Sequence, residues 1–163
     1  MLKYTILCFT FLLTACGFKP LYVSNEETLK QTAAVQIEPI SGEGGYQTEL
    51  ILQKRLNPDQ MKVSPKYRLV VTLNAPTFAN QSIRSDNIAS LEKMTISANY
   101  KLVDIQKKHT LISSSVDANG LLNLVKEPYA TVAAKDKLYD NLVRVMADDI
   151  ATHILSYFKG VSP

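Results

Sequence analysis

The sequence predicts an α/β (α+β) two-layer sandwich, with two helices packed on a four-stranded mixed sheet. Three observations carry this. Several segments alternate apolar and polar residues with period two, as half-buried strands do. A long final segment repeats apolar residues at steps of three and four, as a helix lying on a sheet does. The order is strand, helix, three strands, helix, and both helices need one apolar surface to cover.

Taken in order, Val35-Gln36-Ile37-Glu38-Pro39-Ile40 alternates and stops near Pro39, which reads as the first strand. Ser41-Gly42-Glu43-Gly44-Gly45 is a flexible strand-to-helix connection. It lacks the spacing of a phosphate-binding glycine loop. Tyr46–Leu56 has helix-forming residues, with Tyr46, Leu50 and Leu56 on its apolar side and Asn57-Pro58 as a stop. Tyr67, Leu69, Val71, Leu73 and Ala75 form one face of a second strand that Pro76 ends. Gln81–Ser90 is polar and turn-rich. Met94, Ile96, Ala98, Tyr100 and Leu102 alternate with polar residues, and Leu111–Gly120 returns with Ile112, Val116 and Ala118 on one face. The pair is a β-hairpin whose tip, Asp104–His109, carries Lys107, Lys108 and His109. Ala130–Phe158 is the long helix, with the stripe Leu138, Leu142, Val145, Met146, Ile150, Ile154 and Phe158. Lys135, Lys137, Asp140, Arg144 and Asp148 fall mainly on its other side.

The start of the chain is a targeting signal. Lys3 supplies a positive start, and residues 5–13 are an apolar run too short for a spanning helix, which needs about 20 residues. Leu13-Thr14-Ala15-Cys16 resembles a bacterial lipobox, after which residues 1–15 are removed and Cys16 is acylated. Thiolate nucleophilicity is the reason a cysteine stands there. Cys8 leaves with the leader, so the mature chain has no cysteine left for a disulfide and must hold together by its core. Residues 16–33 read as a lipidated tether, 34–159 as a single domain, and 160–163 as a short tail. About 140 residues suffice for one domain.

Composition narrows the chemistry. Without Lys3, 17 basic residues face 15 acidic ones, too even a balance for general nucleic-acid binding. Ser113-Ser114-Ser115, His109 and Asp117 have the atoms of a hydrolase triad, but not its spacing or a nucleophile elbow. Asp148-Asp149 are adjacent helical carboxylates that diverge by about 100°. With His109 and His153 as the two histidines, no zinc site or other cofactor site emerges. The reading is therefore of a non-enzyme. Arg84 lies in "NQSIRSD" between the second and third strands, and Lys126 in "LVKEP" after the fourth. Arg and Lys from two turns suit a phosphorylated ligand. Each alone reads better as an ordinary surface cation.

The lipobox followed by "CGFKPLY" resembles the start of lipopolysaccharide-assembly lipoproteins of the LptE family. The likeness continues through the early strand, the helix before Pro58, the hairpin "MTISANYKLVDIQKKHTLIS" and the helix "AAKDKLYDNLVRVMADDI". The resemblance implies two helices on a four-stranded mixed sheet and no catalysis. It implies a lipoprotein of the outer membrane that plugs the lumen of the LptD β-barrel, assists its assembly and binds lipopolysaccharide during export. It also implies that Arg84 and Lys126 are the lipopolysaccharide-binding cations. Lys107 and Lys108 at the hairpin tip are read from the sequence as accessory cations. An accessory lipoprotein of an envelope lipid ABC transporter is the alternative, and its partner would be an inner-membrane protein instead of a barrel.

Overall fold

The computed structural model describes residues 26–83, 89–124 and 127–160. The expected leader and Cys16 lie outside the described residues. The elements are α1 (Glu26–Ala33), β1 (Val35–Ile37), α2 (Gly45–Leu56), β2 (Tyr67–Leu73), β3 (Thr77–Ile83), β4 (Ala89–Asp104), β5 (His109–Asn123) and α3 (Pro128–Phe158). The α+β class and the mixed sheet agree with the sequence reading. The counts differ, with three helices and five strands in place of two and four.

The extra strand has a simple origin. β2 pairs with β4 from Leu73↔Ala98 to Tyr67↔Asp104, and β3 pairs with the same β4 from Thr77↔Thr95 to Ile83↔Ala89. The register sum changes by one across Asn74–Pro76, so β2 and β3 are two halves of one line, broken by an irregularity at Pro76. Asn74 N–H still donates to Ser97 O at 2.9 Å, and Asn74 Nδ2 donates to Ser97 Oγ at 2.9 Å. Proline lacks an N–H and fits such a break. The turn-rich stretch 81–90 is correspondingly shorter than expected, because strand pairing reaches Ile83 and resumes at Ala89. β1 runs parallel to β2 at one edge, and β5 runs antiparallel to β4 on its other side.

The extra helix is α1. Residues 26–33, expected as part of a tether, are helical, with Lys30 Nζ 2.7 Å from Glu26 Oε1 and with Thr28 and Thr32 buried. Pro20 argued against helix only upstream of this segment.

Along β4, Met94, Ile96, Ala98, Tyr100 and Leu102 are buried beneath α3, together with Val116, Ala118 and Leu122 of β5. The α3 stripe is offset from the expected one. Leu142, Val143, Met146, Ala147, Ile150, Ala151 and Ile154 are buried, whereas Val145 is exposed. In α2 the correction is larger. Gly45, Thr48, Leu52 and Leu56 face the core, while Tyr46 and Leu50 are exposed. Gly44, with φ of 76°, and Gly45 do not form a slack connection. A Cβ on Gly44 would meet the Tyr139 hydroxyl and Val143 at 2.9 Å, and the Tyr139 hydroxyl donates to Glu43 O. Gly44 is there because α3 passes this turn closely, and Gly45 because its Cβ would run into the Ile40 carbonyl.

Candidate functional site

Strand register divides the sheet into two ends. At one end β3 finishes at Ile83 opposite Ala89, and β5 finishes at Asn123 opposite Leu91. The described residues flanking the 84–88 and 125–126 connections therefore lie on either side of the start of β4. Arg84 and Lys126 themselves lie outside the described residues. At the other end, β4 passes to β5 through the turn 105–108. Asp104 Oδ1 accepts the N–H groups of Gln106 and Lys107, both at 2.9 Å, and Lys108 has a left-handed φ of 51°. Lys107 and Lys108 are exposed on this tip. β4 has 16 residues, so the two ends stand roughly 50 Å apart at about 3.3 Å per residue. The accessory cations of the sequence reading thus belong to a separate place from the flanks of Arg84 and Lys126.

The first end holds features that sequence reasoning missed. Lys135 Nζ lies 2.6 Å from Glu92 Oε2 and 4.7 Å from the centre of the Phe78 ring. This joins α3 to β3 and β4 by an ion pair and a cation–π contact. Lys135 was expected on the solvent side of α3, and it sits instead at the rim of the sheet. Phe78, Leu121, Tyr129 and Val132 are exposed apolar side chains of β3, the end of β5 and the start of α3. Phe78, opposite Met94, is on the helix side of the sheet, and Leu121, opposite Lys93, is on the other side, so no single periodicity marks these residues.

The sheet face opposite the helices has a different chemistry. Thr95, Ser97 and Asn99 of β4 stand opposite Asn119, Asp117 and Ser115 of β5, and Lys101 opposite Ser113. No described helix covers this face, and it is dominated by hydroxyl and amide groups. Ser113, Ser115 and Asp117 are spread along it with His109 at the hairpin tip, in no catalytic arrangement. Asp148, one of the paired carboxylates, accepts two hydrogen bonds from Arg55, at 2.7 and 3.0 Å. That bond ties α3 to α2. Asp149 is not part of it. Among the described residues, no group of three His, Cys, Asp or Glu could hold a metal ion. Likewise, no described helix is long and apolar enough to cross a membrane.

A family model described as "LptE: Lipopolysaccharide-assembly" matches residues 29–158. The chain belongs to the LptE family. It is a protein of lipopolysaccharide assembly and not an enzyme. An uncharacterized protein of Rickettsia prowazekii (strain Madrid E) is 28% identical over 153 residues, covering 94% of each chain. Among solved structures, a lipoprotein of Caulobacter crescentus CB15 has a TM-score of 0.62 at 18% identity, covering 82% of this chain and 96% of its own. The rare lipoprotein B of Shewanella oneidensis has a TM-score of 0.57 at 11% identity, covering 77% and 95%. These two likenesses concern the fold. The LptE match begins inside α1, which agrees with that helix being part of the folded unit.

Proposed function

We propose that this LptE-family chain is anchored in the outer membrane through acylated Cys16, plugs an LptD-type β-barrel and binds lipopolysaccharide through Arg84 and Lys126. The observation that carries the reading is the family match over nearly the whole domain. Register supports the binding site, since both connections leave the sheet at the same end. Exposed Phe78, Tyr129 and Val132 at that end suit an amphiphile that has both phosphates and acyl chains. The helix-free face supports the plug, because the interior of an outer-membrane barrel is polar. Lys107 and Lys108 are too distant from the other end to share one phosphate group with Arg84 and Lys126.

Stable residence on a membrane takes more than one acyl chain, and a diacylglycerol thioether with an N-acyl group provides that. The test is extraction of the acylated protein from its envelope in mild detergent. A one-to-one complex with a large outer-membrane barrel is expected, and Cys16→Ala should take up no palmitate analogue. An inner-membrane transporter as the stoichiometric partner would contradict the plug and favour the alternative.

A further inference from the structure

The segment after Cys16 serves only as a tether in the proposal above, and Tyr46 and Leu50 leave α2 with an exposed apolar side among the described residues. We propose that residues 18–23 fold back and dock as an extended peptide in the groove between β1 and α2. The groove has a volume of about 550 Å³ and is lined by Val35, Ile37, Leu50, Leu56 and Pro58, with Gln53 among its polar groups. Tyr46 and Leu50 lie four residues apart on one side of α2 and are 79% and 38% exposed. They form a second apolar stripe beside the one buried in the core. Exposed apolar residues in a row on a helix call for a cover.

Three observations select this segment as the cover. The first is composition. Phe18, Leu21, Tyr22 and Val23 are apolar, and the residues that follow, Ser24 to Glu27, are polar. The second is reach. The eight residues of α1 span about 12 Å at 1.5 Å per residue, and Ala34 alone separates α1 from β1. Glu26 therefore lies within roughly 20 Å of the groove, and seven extended residues cover about 24 Å. The third is the backbone. β1 is an edge strand, pairing only with β2 among the described residues. A strand edge beside an apolar groove with amide side chains suits a peptide, which has its own N–H and C=O groups, better than it suits a bare acyl chain. Pro20 lacks an N–H, which an edge position tolerates.

The docking depends on neither the barrel nor lipopolysaccharide. If Cys16 is acylated, Gly17 is the only residue between the lipid and the docked segment. The β1 end of the domain would then be held against the membrane surface instead of hanging on a loose tether.

The test uses the full-length protein in its own envelope. Leu50→Cys is combined in turn with Phe18→Cys, Leu21→Cys or Tyr22→Cys and treated with a mild oxidant. A disulfide needs Cα atoms within about 7 Å, so an intrachain bond in at least one pair is expected. The same partners combined with Asn119→Cys, on the helix-free face, should give none. No intrachain bond in any Leu50→Cys pair, with the fold intact by circular dichroism, overturns the proposal. Disulfide-linked dimers as the sole product also overturn it, in favour of a second copy in the groove. The single variant Leu50→Cys separates the readings. A bond from it to Cys16 would support docking while contradicting acylation.

Discussion

Tyr100 lies in the centre of the sheet at 2% exposure, with its phenol 2.8 Å from His153 Nδ1. Burial pushes this phenol above its ordinary range, with the Ser114 hydroxyl pulling partly back. Tyr139 is also raised, first by burial and then by the charges of Glu43 and Asp140. Both rings are neutral in the fold, and in the unfolded chain they ionise near the usual value of about 10. The sign follows from linkage. Their contribution is fully present below about pH 10 and is lost as pH rises from there through the folded values. Tyr100→Phe removes one share of that loss. It should cost about 0.5–1.5 kcal/mol at pH 8, because the His153 nitrogen loses its partner. The decline of its thermal midpoint between pH 9.5 and 11.5 should then be shallower than that of the parent protein. An unchanged slope would mean that the Tyr100 phenol does not couple to folding.

Two glycines let α2 and α3 approach their neighbours, and they tolerate a methyl group differently. A Cβ at Gly45 would clash hard with the Ile40 carbonyl oxygen, which belongs to the backbone. At Gly120 it would meet Leu138 Cδ1 at 2.7 Å, the far end of a flexible side chain. Overpacking a core costs about 1–3 kcal/mol. Gly45→Ala should reach or exceed the top of that range, and Gly120→Ala should stay near the bottom. Thermal midpoints of the two variants check the order, and equal losses would contradict it. Legibility at this scale follows the same physics. β4, β5 and α3 were readable because long alternating or stepped runs record which face is buried. The buried side of α2 was not, because it uses Gly45 and Thr48, whose small size allows close approach but leaves no hydrophobic signal. Tyr46 and Leu50 gave a stripe that points away from the core. β3 was hidden because its pairing is fixed by β4 and not by its own polar sequence. Val145 illustrates the offset in α3, where Val143 and Ala147 are buried in its place.

For the whole molecule, the sheet separates three kinds of surface. The helices and the core lie on one face, a hydroxyl and amide ladder lies on the other, and two dissimilar ends are separated by the length of β4. The end flanking Arg84 and Lys126 also has the Glu92–Lys135 pair and the Phe78 ring. Arg84 and Lys126 lie outside the described residues, and their assignment rests on the family resemblance and the proposal above. Lys135, Glu92 and Phe78 were not legible in the sequence, because their contacts arise only when α3 crosses the start of the sheet. The central claim is that this end binds lipopolysaccharide through Arg84 and Lys126. A hydrogen bond to a charged group contributes about 1.5–3 kcal/mol, and each 1.4 kcal/mol is about tenfold in affinity. The most direct measurement is binding of purified lipopolysaccharide to Arg84→Asp/Lys126→Asp, alongside circular dichroism and co-purification of the barrel. The account predicts binding weakened about tenfold or more, with the fold and the barrel complex retained. Unchanged lipopolysaccharide affinity in a folded, barrel-bound double variant would contradict it.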